Sequence, residues 1–178
     1  MKFTKTALPE VVLIEPKVFD DPRGAFFESY HARRFFEQGI RETFVQDNHV
    51  ISGRGVLRGL HFQKPPAAQA KLLRVVRGKI FDVAVDIRKG SPTFGRWVSA
   101  ELSAANRKML YVPAGFAHGY LSLDDGTEVL YKVSSFYAPE TEGGILWNDP
   151  SIGIPWPKID GGYHLSEKDK KLPLLNDL

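Results

Sequence analysis

Apolar and polar positions alternate with a period of two along several short stretches of this chain. In Phe81-Asp82-Val83-Ala84-Val85-Asp86-Ile87-Arg88 the odd positions are apolar and the even ones small or charged. That is the pattern of a half-buried strand, whose successive side chains point to opposite faces. Val129-Leu130-Tyr131-Lys132-Val133 alternates too and puts Tyr131 on one face with Val129 and Val133. Val11-Val12-Leu13-Ile14 and Lys71-Leu72-Leu73-Arg74-Val75-Val76 are further strand candidates, rich in β-branched residues. Turn signals separate the runs: Asp21-Pro22-Arg23-Gly24, Arg77-Gly78-Lys79, Lys89-Gly90-Ser91-Pro92 and Asp124-Asp125-Gly126. Many short strands at this spacing predict a mainly β sandwich or barrel. Helical patterning is confined to Ser29–Gln38, with Ser29 as cap and Gly39 as stop, and to a short stretch near Ser166–Lys171. From Pro155 onward, over 155–178, prolines and the Gly161-Gly162 pair predict an irregular segment.

Composition narrows the class. A chain of 178 residues, 43% hydrophobic and 12% aromatic, is long enough for one core, and residues 1–178 read as a single domain. With no cysteine there is no disulfide framework and no thiolate metal site. The N-terminus lacks the apolar core of a signal peptide, and no apolar run approaches a membrane span, so a cytoplasmic protein is expected. The net charge of +3 is spread over scattered basic residues. A small anionic ligand suits that distribution better than a nucleic-acid duplex, which calls for a clustered basic face.

The chemistry concentrates in two strings. Pro113-x-Gly115-x-x-His118 resembles the second signature of the cupin superfamily, a double-stranded β-helix (jelly-roll) barrel. The first cupin signature usually offers His-x-His and then Glu, as ligands to a divalent metal. Here that position reads His61-Phe62-Gln63, and Lys71 stands in the region where the Glu would fall. Glutamine is a poor ligand and a protonated lysine has no lone pair to give. Two histidines fall short of the three protein ligands of a catalytic site, so no metal is expected. His61 remains as a candidate general base, since imidazole titrates near neutrality. Its plain alternative is a core histidine bonded to backbone. Arg58 and Gln63 beside it, Lys71 one hairpin away, and Tyr131 among apolar neighbours favour the chemical reading.

Further strings extend the resemblance over about Phe3 to Asp169. They are Glu15-Pro16-Lys17-Val18-Phe19, Asp21-Pro22-Arg23-Gly24, Phe27-Glu28-Ser29, Gln46-Asp47-Asn48-His49, Gly55-Val56-Leu57-Arg58-Gly59-Leu60-His61-Phe62-Gln63, Pro113-x-Gly115-Phe116-Ala117-His118-Gly119, Trp147-Asn148-Asp149-Pro150 and Leu165-Ser166-x-Lys168-Asp169. Together they resemble the dTDP-4-dehydrorhamnose 3,5-epimerases, metal-free cupins that invert C3 and C5 of dTDP-4-dehydro-6-deoxy-D-glucose through an enolate, with no cofactor. The resemblance implies His61 as base, Tyr131 as acid, Asp169 as the carboxylate that orients the imidazole, and Lys71 beside the C4 oxygen. It implies substrate contacts from Arg23, Glu28, Gln46, Asp47, Asn48, Arg58, Lys71, His118, Glu142 and Lys168. Tyr137 would line the sugar pocket, and Phe19 and Phe26 would stack on thymine or sit in the core. It also implies a homodimer in which N-terminal strands within about 1–50 pack on the partner's sheet, with part of Arg23–Glu28 serving the neighbouring site. The place in metabolism would be the third of four steps to dTDP-L-rhamnose. Three rivals stand beside this reading: an epimerase of one centre only, a metal-dependent cupin, and a sugar-nucleotide binding module without catalysis.

Overall fold

The computed structural model describes residues 1–178. In chain order the elements are β1 (Lys2–Lys5), β2 (Val12–Glu15), β3 (Val18–Asp21), β4 (Gly24–Phe27), α1 (Ala32–Glu37), β5 (Gln46–Ser52), β6 (Leu57–Gln63), β7 (Lys71–Arg77), β8 (Lys79–Asp86), β9 (Trp97–Ser103), β10 (Met109–Val112), β11 (Phe116–Ser122), β12 (Thr127–Val133) and β13 (Glu142–Gly144). A six-stranded sheet runs β1-β2-β10-β7-β12-β5 and a five-stranded sheet runs β13-β6-β11-β8-β9. From β5 onward the chain crosses between the sheets at every step except β8 to β9. That winding is the double-stranded β-helix, or jelly roll, in which inward-facing residues of two sheets make the core.

Three apolar layers hold it. Between the sheets, Leu73 and Val75 of β7, Leu110 and Val112 of β10 and Val129 of β12 meet Ile80, Ala84, Val98, Leu102 and Phe116 from the other side. On the outer face of the five-stranded sheet, Val83, Val85, Leu57, Leu60 and Leu121 are covered by Ile152, Trp156 and Leu175 of the C-terminal segment. On the outer face of the six-stranded sheet, Ile14, Leu72 and Met109 are covered by Phe35 of α1 and by Ile40. Each Val, Leu, Ile, Phe or Met side chain among them stabilises the fold by about 1.5–3 kcal/mol through burial.

The second layer revises the reading of β8. Its alternation has the expected period, but the strand is buried on both faces. The odd, apolar positions Val83 and Val85 pack under the C-terminal segment. The even face, with Ile80 and Ala84, looks into the barrel, and with it go Asp82 and Asp86, both fully buried. Asp86 is satisfied by a fork from Arg88 and by the hydroxyls of Ser91 and Thr93.

The helix is shorter than the pattern implies. It begins after His31, with no side-chain cap, because the Tyr30 ring is drawn against Phe35 and Phe44 and holds the preceding residues extended. Its end is as expected: Gly39 has φ +86° and donates its N–H to the Phe36 carbonyl. The second expected helix is a single 3₁₀ turn over Asp169–Lys171, whose first N–H is accepted by Ser166 Oγ at 3.1 Å. The segment over 155–178 is irregular but tied down. The Leu146 N–H donates to the Pro173 carbonyl at 2.8 Å, and the Leu175 N–H donates to Asp149 Oδ2 at 2.6 Å.

Strands β3 and β4 form a hairpin that joins neither main sheet, pairing Phe19 with Phe26. Both rings are exposed, at 53% and 71%. Neither is a core residue of the chain.

β6 and β11 approach so closely that a Cβ on Gly119 would lie 2.6 Å from the Arg58 carbonyl oxygen. Gly119→Ala is therefore expected to destabilise the fold by about 2–3 kcal/mol. A urea unfolding curve checks this, with the midpoint lowered and the slope unchanged.

Candidate active site

One mouth of the barrel opens into a cavity of about 480 Å³ lined by side chains from both sheets and from the C-terminal turn. Its walls carry His61 and Arg58 from β6, Lys71 from β7, His118 and Tyr120 from β11, Tyr131 from β12, Glu142 from β13, and Lys168 and Asp169. A second depression of about 260 Å³ shares His61, Lys71, Tyr131 and Glu142 with the first and adds Gln46, Asn48 and Tyr137. The two are lobes of one site.

His61 sits in register with His118 on β11 and Gly144 on β13, with a strand on either side of its own. Its Nε2 lies 2.7 Å from Asp169 Oδ1, and the other oxygen of that carboxylate accepts the Gly59 N–H at 3.4 Å. Burial alone would raise the Asp169 carboxyl. The hydrogen bond and charge of His61, with the Gly59 and Ser166 contacts, outweigh it and hold the group below the usual carboxylate range. With Nε2 engaged, Nδ1 is the remaining nitrogen of the ring.

Tyr131 stands on the facing sheet, on the face shared with the buried Val129 and Val133. Burial pushes its phenol up, against a smaller opposing effect of the Arg58 charge, so the hydroxyl keeps its proton at neutral pH. An imidazole backed by a carboxylate thus faces a protonated phenol across one cavity.

Lys71 opens β7 and donates from Nζ to the His61 carbonyl oxygen at 3.3 Å. Burial disfavours its charged form, the carboxylates of Asp82 and Glu142 favour it, and the result is an ammonium brought down to about 8. Glu142 Oε2 is held by Lys168 Nζ at 2.5 Å and by the Tyr137 hydroxyl at 2.8 Å. Burial would raise the Glu142 carboxyl, but these two partners bring it below its ordinary value. Arg58 is steadied by its Nε, which donates to Ser52 Oγ at 3.2 Å. Gln46 donates to Asn48 Oδ1 at 2.9 Å and accepts the Tyr137 N–H at 3.1 Å.

Three of the expected contacts lie elsewhere on the chain. Asp47 is on the other face of β5 from Gln46 and Asn48, as strand alternation requires, and pairs with Lys132 at 2.9 Å. Arg23 is at the tip of the β3–β4 hairpin, forked onto Asp21 and 89% exposed. Glu28 pairs with Arg34 at 3.0 Å. Neither Arg23 nor Glu28 lines the cavity of its own chain. Conversely, Asp82 and Tyr120 belong to the site's surroundings and were not among the residues expected there. Asp82 Oδ1 accepts from His118 Nε2 at 2.5 Å. Asp82 lies on the even face of β8, whose inward direction follows only from the cover that the C-terminal segment lays over the odd face.

The family model for dTDP-4-dehydrorhamnose 3,5-epimerase matches residues 5–177. The chain belongs to this family. The epimerase of Salmonella typhimurium is 56% identical over 173 residues, covering 97% of this chain and 94% of its own. The crystal structure of the epimerase from Legionella pneumophila, solved with dTDP-4-keto-L-rhamnose, superimposes with a TM-score of 0.95 at 46% identity, over 98% of this chain and 93% of its own. A 3′-monoepimerase from Streptomyces bikiniensis, solved with dTDP-quinovose, follows the same fold with a TM-score of 0.90 at 37% identity, over 96% of this chain and 86% of its own. The sequence resemblance and the jelly roll are thus established. No helix of the chain is long and apolar enough to cross a membrane.

The buried ammonium gives a direct expectation. Because burial penalises its charge, Lys71 is charged below about pH 8 and neutral above it. In a nitrogen-15 NMR titration Lys71 Nζ is expected to show a midpoint near 8, below the ordinary value of a lysine side chain.

Proposed function

We propose that the His61, Tyr131, Lys71 and Asp169 constellation inverts C3 and C5 of dTDP-4-dehydro-6-deoxy-D-glucose to give dTDP-4-dehydro-L-rhamnose. The observation that carries this reading is the placement of His61 and Tyr131 on opposite sheets, facing one cavity, with His61 backed by a buried carboxylate at 2.7 Å. The C4 ketone acidifies the hydrogens on both neighbouring carbons. Inversion takes a proton from one face of the ring and returns one to the other, which calls for a base and an acid on opposite walls. His61 takes the proton, and Asp169 fixes the imidazole and stabilises the imidazolium that forms. Lys71 stabilises the enolate oxygen as charge develops there, and Tyr131 supplies the returning proton from the other side. The protons move without any transfer of electrons, so the steps call on no redox cofactor.

Arg58, at the rim, suits the pyrophosphate, because a guanidinium pairs bidentately with phosphate oxygens. Gln46, Asn48, Tyr137, His118, Glu142 and Lys168 surround the sugar and nucleoside. Arg23, Glu28 and Asp47 join them through a homodimer, or through rearrangement on binding. A projecting hairpin with two bare phenylalanines supports the dimer, since its apolar surface is of the kind that a second copy covers. Inversion of both centres, rather than one, is favoured by 56% identity to a 3,5-epimerase against 37% to a 3′-monoepimerase. A cysteine-free chain acting on a nucleotide sugar suits the cytoplasm.

NMR of the product decides the reaction. The L-rhamno configuration is expected from the wild type, and inversion at a single carbon overturns the reading. His61→Ala is expected to abolish turnover, and Tyr131→Phe to lower it by about 10²–10⁴. Sedimentation is expected to give twice the 20.0 kDa chain mass, with Phe26→Asp shifting it to the monomer and reducing activity.

A further inference from the structure

Gln63 is a buried polar residue at the cavity to which the reaction described above gives no part. It lies two residues beyond His61 on β6, lines the smaller lobe with it, and is only 6% exposed. A buried amide calls for partners at both of its ends. Gln63 finds them on backbone. Its Nε2 donates to the Ala67 carbonyl at 2.6 Å and to the Phe136 carbonyl at 3.2 Å, and its Oε1 accepts the Ala138 N–H at 2.9 Å. The donor end meets two carbonyls and the acceptor end an N–H, so the partners themselves fix which way the amide is turned. Two of these three bonds fall on the peptide groups either side of Tyr137.

Tyr137 has little else to place it. β12 ends at Val133 and β13 begins at Glu142, so Tyr137 lies between strands and outside any ladder. The first part of this loop is seated by Gln69 Nε2, which donates to the Ser135 carbonyl at 2.6 Å, and by Ser134 Oγ, which accepts the Ala70 N–H at 2.8 Å. The peptide group before Tyr137 is gripped at both ends, its carbonyl by Gln63 and its N–H by Gln46 Oε1 at 3.1 Å. The group after it gives its N–H to Gln63. Tyr137 is 57% exposed, and its hydroxyl donates to Glu142, which faces Gln63 across the β6–β13 pair. Packing therefore does little to hold the ring beside the cavity, and the clamp on its backbone does most.

We propose that Gln63 is a positioning residue for substrate binding, its amide clamping the two peptide groups that flank Tyr137 so that the ring forms one wall of the cavity. This rests on the reading of Tyr137 as one of the groups around the sugar and nucleoside. An amide bound to three backbone groups sets that wall before substrate arrives, which spares binding the cost of ordering it. A loosened Tyr137 weakens binding but leaves His61, Lys71 and Tyr131 in place, because those residues belong to strands.

Gln63→Met tests this, because methionine keeps the length of the side chain while removing its donor and its acceptor. KM is expected to rise about tenfold, with kcat within about twofold of wild type. In a Tyr137→Ala background the same change is expected to add less than about twofold, since the ring it positions is gone. Amide hydrogen exchange of the free protein is expected to quicken at Ala138, whose N–H loses its acceptor, and at Tyr137 beside it, and to stay unchanged along β6 and β11. An unchanged KM, an equal rise of KM in both backgrounds, a loss confined to kcat, or exchange that quickens throughout the chain overturns the proposal. Should Gln63→Met fail to fold, Gln63→Glu carries the same readouts, since it keeps the shape while setting a carboxylate oxygen against the Ala67 and Phe136 carbonyls. If exchange quickens as expected but the wild type inverts neither carbon, the epimerase reading fails while the clamp on Tyr137 stands.

Discussion

The 2.7 Å hydrogen bond between His61 and Asp169 joins parts of the chain 108 residues apart, and much of the architecture serves to hold its two ends still. His61 is fixed in a five-stranded sheet, between the strands β13 and β11 on either side. Asp169 has no such frame, since it lies in a single 3₁₀ turn of an otherwise irregular segment. Its position is secured indirectly. Ser166 caps the turn, Asp149 takes the Leu175 N–H, and Ile152, Trp156 and Leu175 pack on the outer face of the barrel. The Trp147-Asn148-Asp149-Pro150 string finds its explanation here. Asp149 satisfies its own turn through Ser151 and the far end of the chain through Leu175, while the Trp147 carbonyl accepts from Trp156 Nε1. These residues lie outside the cavity, yet the carboxylate behind the imidazole depends on them.

Carrying charge into a barrel brings a second constraint, because each ionised group needs a partner where water is scarce. Asp86 shows the plain structural solution, a closed set of an arginine fork and two hydroxyls. Around the cavity the solutions are left open on one side. Carboxylates offset the burial of the Lys71 charge, and burial raises the Tyr131 phenol further above neutrality. Differences of environment, rather than unusual residues, fit these two groups to the proposed roles of oxyanion-stabilising group and acid.

Much of this was legible from the residues, and the remainder failed for identifiable reasons. Period-two alternation located β8 and β12, and the turn signals at Gly78 and Gly126 fell between strands as expected. Alternation cannot say what covers the second face of a strand. The sequence around Phe81–Arg88 therefore read as half exposed, although a segment about seventy residues further on buries its odd face. The same gap hid Asp82, whose inward direction follows only once that outer cover is known. The helix start was misplaced because a cap residue is a local signal, and the Tyr30 packing that overrides it is tertiary. Conversely, Arg23 and Glu28, expected at the site from the resemblance, do not line the cavity of their own chain. They lie on or beside a hairpin that joins neither main sheet, a placement that period-two alternation does not encode.

The central claim is that a base on one sheet and an acid on the other exchange the protons on both carbons flanking a ketone. Turnover in heavy water, read by mass spectrometry and NMR of the recovered dTDP-sugar, tests it most directly. The account predicts deuterium at both C3 and C5, with neither label appearing in His61→Ala. Label at one carbon alone, or label at both that survives the loss of His61, would contradict it.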